Sequence, residues 1–162
     1  MAQETQTTLN YQAELNEIQW IWYQQRRISD KMQVRDKIES EIQASSSKST
    51  NGQGTEVTYS SWTTKVNGEV DYRVDGGKIY IPLGGTYLMQ CIPDSGYTQT
   101  YNYTIKYYRN WKAFYTLTTT LNDREIRTQV VKLGRKDEIT VSFTPDFSAS
   151  ATVGHTLKLI KL

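Results

Sequence analysis

The chain changes character at a Ser- and Gly-rich stretch, and that change limits what it can fold into. Residues 8–44 carry helix-like spacing of apolar side chains, while residues 56–162 are dense in Tyr and Thr and read as strands. Between them runs Ala44-Ser45-Ser46-Ser47-Lys48-Ser49-Thr50-Asn51-Gly52-Gln53-Gly54, which by composition is a flexible joint. The expected division is a flexible start over 1–7, a helical stalk over 8–44, a linker over 45–55 and a β-rich head over 56–162. A stalk and a head suit attachment and display better than catalysis.

The head is legible through its turns. Val66-Asn67-Gly68-Glu69-Val70 is a hairpin signal, because Asn-Gly readily supplies two positive-φ positions. Asp75-Gly76-Gly77 marks another turn, and the strand Lys78-Ile79-Tyr80-Ile81 stops at Pro82. Thr86 to Ile92 is a largely apolar run, expected as a central strand. Further strands fit 100–108, 112–121, 125–132, 137–143 and 155–161, with turns at Leu121-Asn122-Asp123-Arg124-Glu125 and Leu133-Gly134-Arg135-Lys136-Asp137. Many strands at about ten-residue spacing with no helix between them predict an antiparallel sandwich or jelly roll.

For the stalk, Thr8 or Asn10 serves as a helix cap, with Glu14 and Glu17 in the first turns. A heptad with a at 18, 25, 32 and 39 and d at 21, 28, 35 and 42 puts Ile18, Ile21, Gln25, Ile28, Met32 and Ile42 on one seam, together with Arg35 and Glu39. Ile at both a and d favours three strands over two, so this seam is expected to form a trimeric coiled coil. The same helix could instead pack on another protein, or stand alone. Trp20, Trp22 and Tyr23 broaden the apolar surface beyond a narrow seam. They form either a docking belt or wide-angle packing at the top of a bundle.

Several chemistries lack their residues. His155 is the only histidine and Cys91 the only cysteine, too few for a zinc site and unable to form an internal disulfide. A Cys91–His155 dyad has no local signature, and Cys91 sits in an apolar run that suits a buried, inert thiol. Asp71, Asp75 and Asp94 lack the spacing of a calcium loop, and Gly76-Gly77 and Gly84-Gly85 lack the helix a phosphate-cradling loop needs. No catalytic residue, metal or cofactor is expected. Net charge is +2, split as −2 over 1–44 (five Lys/Arg, seven Asp/Glu) and +4 over 45–162 (fourteen and ten). Neither half has the basic footprint of a nucleic-acid binder. No apolar run reaches membrane-span length, and the opening MAQETQTTLN has no signal-peptide pattern, so synthesis in a reducing cytoplasm is expected.

Tyr97, Tyr101, Tyr103, Tyr107, Tyr108 and Trp111 crowd one segment, with Lys106, Arg109 and Lys112 among them. They read as core or subunit interface, since 101, 103, 105 and 107 share one strand face. A glycan or receptor contact is the second reading, behind core or interface, and a stacking platform for single-stranded nucleic acid comes last.

The order of signals resembles the C1q/tumour-necrosis-factor-like jelly-roll superfamily over residues 70–162. Ile81-Pro82-Leu83-Gly84-Gly85-Thr86-Tyr87 is similar to its apolar–Pro–x–x–Gly–x–Tyr element. Leu117 to Ile126 is similar to its strand ending in an Asn-containing turn. Val130 to Val141 resembles its apolar strand, turn and following strand, with Lys136-Asp137 in place of the usual Gly-Asp. Gly154-His155-Thr156-Leu157-Lys158-Leu159-Ile160 resembles the closing central strand. The Tyr-rich segment 97–115 has no clear counterpart. The resemblance implies a compact homotrimer whose threefold axis is lined by aromatic and aliphatic side chains. Members with a short coiled coil below such a head include fibre, decoration and receptor-binding proteins of bacteriophage virions. The expectation is therefore a homotrimeric virion protein, a short head fibre or capsid decoration, touching capsid or tail proteins. The alternatives are a tail or baseplate adhesin for a host-surface glycan and a cellular C1q-like carbohydrate-binding module.

Overall fold

A computed structural model describes residues 14–26, 40–68 and 70–162, and the chain divides into two units between residues 38 and 39. In the first unit residues 14–26 are helical. Leu15, Ile18 and Trp22 repeat at helical spacing along one flank. Trp20, Ile21 and Tyr23 fall off that flank, so apolar surface wraps around the helix. Ile18, Ile21, Gln25 and the three aromatic side chains are all exposed. Thr8, Asn10, Ile28 and Met32 lie outside the described residues.

The second unit is built of β1 (Glu41–Ser49), β2 (Val57–Thr58), β3 (Thr63–Asn67), β4 (Arg73–Asp75), β5 (Lys78–Tyr80), β6 (Gly85–Pro93), β7 (Asn102–Arg109), β8 (Lys112–Thr120), β9 (Arg127–Leu133), β10 (Glu138–Pro145) and β11 (Thr152–Lys161). The first sheet has the order β3-β1-β11-β6-β9, and the second β4-β5-β10-β7-β8 with β2 also paired to β10. Every pairing is antiparallel. The architecture is the antiparallel jelly-roll sandwich that the sequence predicts.

Period-two alternation decides which side chains enter the core. Tyr87, Met89, Cys91 and Pro93 of β6 face inward, as do Tyr103, Ile105 and Tyr107 of β7 and Val153, His155, Leu157 and Leu159 of β11. Phe143, Val141 and Ile139 of β10 complete the opposite wall. The core is unusually rich in tyrosine. A buried ring contributes roughly 1.5–3 kcal/mol, provided its hydroxyl keeps a partner. Tyr59 donates to the Val153 carbonyl at 3.1 Å, Tyr87 donates to the Leu83 carbonyl, and the Tyr107 hydroxyl meets His155 Nε2 at 2.9 Å.

Two expectations are corrected. The Ser-rich stretch is a strand, not a linker: β1 pairs with β11 through Ser49 and with β3 through Ser45. Ile42 and Ala44 are fully buried in this sandwich, so Ile42 belongs to the head core and leaves the stalk seam. The strand tolerates serine because neighbours answer its hydroxyls. Ser45 Oγ lies 2.9 Å from Thr156 Oγ1, and Ser46 donates to the Ser61 carbonyl at 2.6 Å. Tertiary pairing here overrides the turn preference of serine. Second, Asn67-Gly68 does not close a hairpin. β3 ends there against β1, and the chain crosses to the other sheet to begin β4. The tight hairpins are at Gly76-Gly77, joining β4 to β5, and at Asn110-Trp111, joining β7 to β8.

Candidate functional site

The Tyr-rich segment separates into groups with different roles. Tyr103 and Tyr107 are fully buried, so neither can reach a ligand outside the core. Tyr101 is exposed and stacks on Phe147 with ring centroids 5.3 Å apart. Tyr97 is half-buried, and its hydroxyl accepts the Thr152 N–H at 2.9 Å. Tyr108 lies on the outer face and donates to Glu56 at 2.7 Å, where Ser142 also donates at 2.7 Å. Those two hydroxyls hold the Glu56 carboxyl below its usual range. Only Trp111 stands clear, 72% exposed at the β7–β8 tip with φ at 70°, and the Lys78 ammonium lies 5.0 Å from its ring centroid.

Cys91, Tyr107 and His155 meet inside the sandwich, all essentially inaccessible. Burial pushes the Cys91 thiol up to about 11, so it stays a thiol at neutral pH. Burial lowers His155 to about 3, which keeps the imidazole neutral. With no accessible nucleophile and no charged base, the trio is a packing cluster. Among the described residues, no three His, Cys, Asp or Glu side chains converge as metal ligands would. Asp123, turned towards Thr119, the Glu125 N–H and Arg127, locks a turn.

The outward face of the β3-β1-β11-β6-β9 sheet is more informative. Register aligns Ile160 of β11 with Leu88 of β6 and Val130 of β9. Ile92 extends a second row towards Ile126, just before β9. These residues alternate with core positions and therefore point away from the core. Val130 is 65% exposed and Ile126 is 54% exposed. Leu162, also exposed, continues the line of Ile160 beyond β11, its N–H bonded to the Thr86 carbonyl at 2.9 Å. Lys158, Gln90 and Thr128 form the polar row between, and Lys158 pairs with Glu41 at 2.9 Å.

At the other edge of this sheet lies a cleft of about 540 Å³ lined by Ser45, Ser46, Ser47, Ser61, Trp62, Thr63, Asp94, Gly154, His155 and Thr156. Sequence reasoning missed it, because three of its six hydroxyl side chains, Ser45, Ser46 and Ser47, come from the stretch read as a linker. Of its lining, the sequence singles out Asp94 among candidate cation ligands and His155 as a candidate dyad partner, and no second carboxylate lines the cleft.

No protein-family pattern matches the chain, and no curated protein matches it. Solved structures do. PRD1 vertex protein P5 superposes with a TM-score of 0.56 at 12% identity, over 75% of this chain and 96% of that one. Murine APRIL superposes with a TM-score of 0.55 at 15% identity, over 76% and 99% (its pH 8.0 crystal form), and with 0.52 at 17% identity over 76% and 99% (pH 8.5). At such identity the likeness establishes the fold. Residues 40–162 adopt a C1q/tumour-necrosis-factor-like jelly roll.

Proposed function

We propose that this chain is a homotrimeric structural protein of a bacteriophage virion, a short head fibre or capsid decoration with a projecting jelly-roll head. The observation that carries the reading is the pair of apolar rows, Ile160–Leu88–Val130 and Ile92–Ile126, on a sheet face that the core does not use. A solitary subunit leaves those rows in water, whereas packing around a threefold axis covers them. The trimer is the one implied by the superfamily resemblance, and the virion assignment draws support from the likeness to a vertex protein.

In this reading the segment before residue 39 assembles and anchors the particle-bound end. Ile18 and Ile21 face sister copies, and Trp20, Trp22 and Tyr23 dock on a capsid or tail protein. Synthesis takes place in the host cytoplasm, where the single buried thiol of Cys91 needs no oxidation. Light scattering tests the core of the proposal: the purified chain should run near three times 18.7 kDa. A monomer at micromolar concentration overturns it. Electron microscopy of labelled particles then reads capsid or tail location directly.

A further inference from the structure

The trimer reading concerns the Ile160–Leu88–Val130 and Ile92–Ile126 rows and assigns nothing to the hydroxyl-lined cleft on the β1 and β3 side of the sheet, to which β11 contributes Gly154, His155 and Thr156. We propose that it binds a neutral saccharide. It forms where two chains diverge. β1 pairs with β3 only as far as Ser45, while its pairing with β11 continues to Ser49. Beyond Ser45 the edge of β1 therefore lacks a strand partner on the β3 side, and Ser61 and Trp62 bend away to cross towards β2. The gap is the cleft.

Its walls are built, not incidental. Asp94 is held against β11, with its N–H donating to the Gly154 carbonyl at 3.1 Å and the Gly154 N–H donating to Ser95 Oγ at 3.2 Å. The approach is so close that a Cβ on Gly154 would come within 2.0 Å of the Asp94 carbonyl oxygen. The opposite wall is the half-buried indole of Trp62, whose Nε1–H donates to the Gly77 carbonyl at 3.0 Å and whose ring packs 5.4 Å from Tyr59. Gly77 is itself required there, since a Cβ would meet the Tyr59 carbonyl oxygen at 2.0 Å. Both walls thus depend on glycines that admit close backbone contact.

The chemistry selects the ligand class. Ser45 and Thr156 share one hydrogen bond with each other and, with Thr63, keep at least one free O–H between them and open lone pairs, matching the mixed donor and acceptor character of sugar hydroxyls. Asp94 accepts from vicinal hydroxyls, and an indole wall offers an apolar face to sugar C–H groups. No lysine or arginine lines the cleft, so a carboxylated or sulfated sugar would meet Asp94 with nothing to compensate its charge. The volume suits one or two sugar rings. This inference rests on the head alone and holds whether the particle carries it on capsid or tail.

The test uses the full chain, ¹⁵N-labelled, titrated with methyl glycosides of glucose, galactose and N-acetylglucosamine, their neutral disaccharides, and sialyllactose as the anionic probe. At least one neutral sugar should shift the Trp62 indole N–H resonance saturably, assigned through Trp62→Phe. Asp94→Ala and Thr63→Val change exposed side chains and should each weaken that binding at least tenfold with an unchanged amide spectrum elsewhere. No response to any neutral sugar, preference for sialyllactose, or binding indifferent to both substitutions each overturns the proposal. A monomer in light scattering with intact sugar binding would remove the trimer reading and leave this one standing.

Discussion

Between pH 6.5 and 4.5, acidification should destabilise this protein chiefly through one residue, His155, and the size of the effect follows from its surroundings. The imidazole is buried against Tyr107 and Tyr59, with ring centroids 5.5 and 6.0 Å away. No carboxylate is paired with it. Burial alone lowers it from 6.5 to about 3. The unfolded chain takes up a proton below pH 6.5 and the folded chain does not until about pH 3, so stability is complete above pH 6.5 and falls as pH drops. At roughly 1.4 kcal/mol per pH unit, the loss approaches 5 kcal/mol at about pH 3 and then levels off. That is comparable with the whole stability of many domains, roughly 5–15 kcal/mol. Urea unfolding at fixed protein concentration, from pH 8 to pH 4, should show this slope for the wild type. In His155→Gln, which keeps a hydrogen-bonding partner for Tyr107, the slope between pH 6.5 and 4.5 should vanish even if overall stability is lower. Glu56 has a lowered carboxyl too, but its loss begins near and below its ordinary range and is common to both proteins. Parallel curves for wild type and variant across pH 6.5–4.5 would falsify the argument that a buried neutral imidazole controls acid sensitivity.

If the proposed trimer packs through the two apolar rows, Leu88→Asp or Val130→Asp should give monomers without unfolding the sandwich, read by light scattering and far-ultraviolet circular dichroism together; a trimer that survives both charges moves the interface elsewhere. Deleting residues 1–38 should leave a cooperatively folding head, whereas deleting 1–44 removes buried Ile42 and Ala44 from β1 and should abolish cooperative unfolding. Gly154→Ala should cost about 1–3 kcal/mol, because the Cβ meets Asp94 backbone that cannot yield cheaply; a neutral result in thermal denaturation would show the 94–95 loop to be loosely held. Trp111→Gly should stabilise by roughly 0.5–1 kcal/mol, since a bulky residue at φ 70° gives way to one that favours it, less the small exposed cation–π contact with Lys78.

What the sequence disclosed, and what it hid, divides by range of interaction. β6 to β11 are readable because their alternation is local and their breaks fall at Gly, Pro and Asn, and their predicted spans agree with the strands to within a few residues. β1 is hidden because nothing within Ser45-Ser46-Ser47-Lys48-Ser49 favours a strand, and the partners that make it one lie about a hundred residues later, at Thr152 to Thr156. Ile42 fits a heptad and a strand equally well, and only its fully buried position in the sandwich decides. The Asn67-Gly68 signal marks the end of β3, but local chemistry does not say which sheet the chain enters next. The cleft inherits the same blindness: its three β1 serines look like linker residues until β11 lies beside them.

Because β1 and β11 run antiparallel, the Lys161 N–H bonds the Ser40 carbonyl at 2.8 Å, and the polypeptide enters and leaves this domain at a single corner. A reporter or affinity tag fused after Leu162 would therefore emerge beside the incoming chain. The opposite pole, where Ser49 faces Thr152, would stay unobstructed. Engineers wishing to display cargo at that far pole must insert it between Thr50 and Glu56, or between Asp146 and Ser150, in preference to appending it at the terminus.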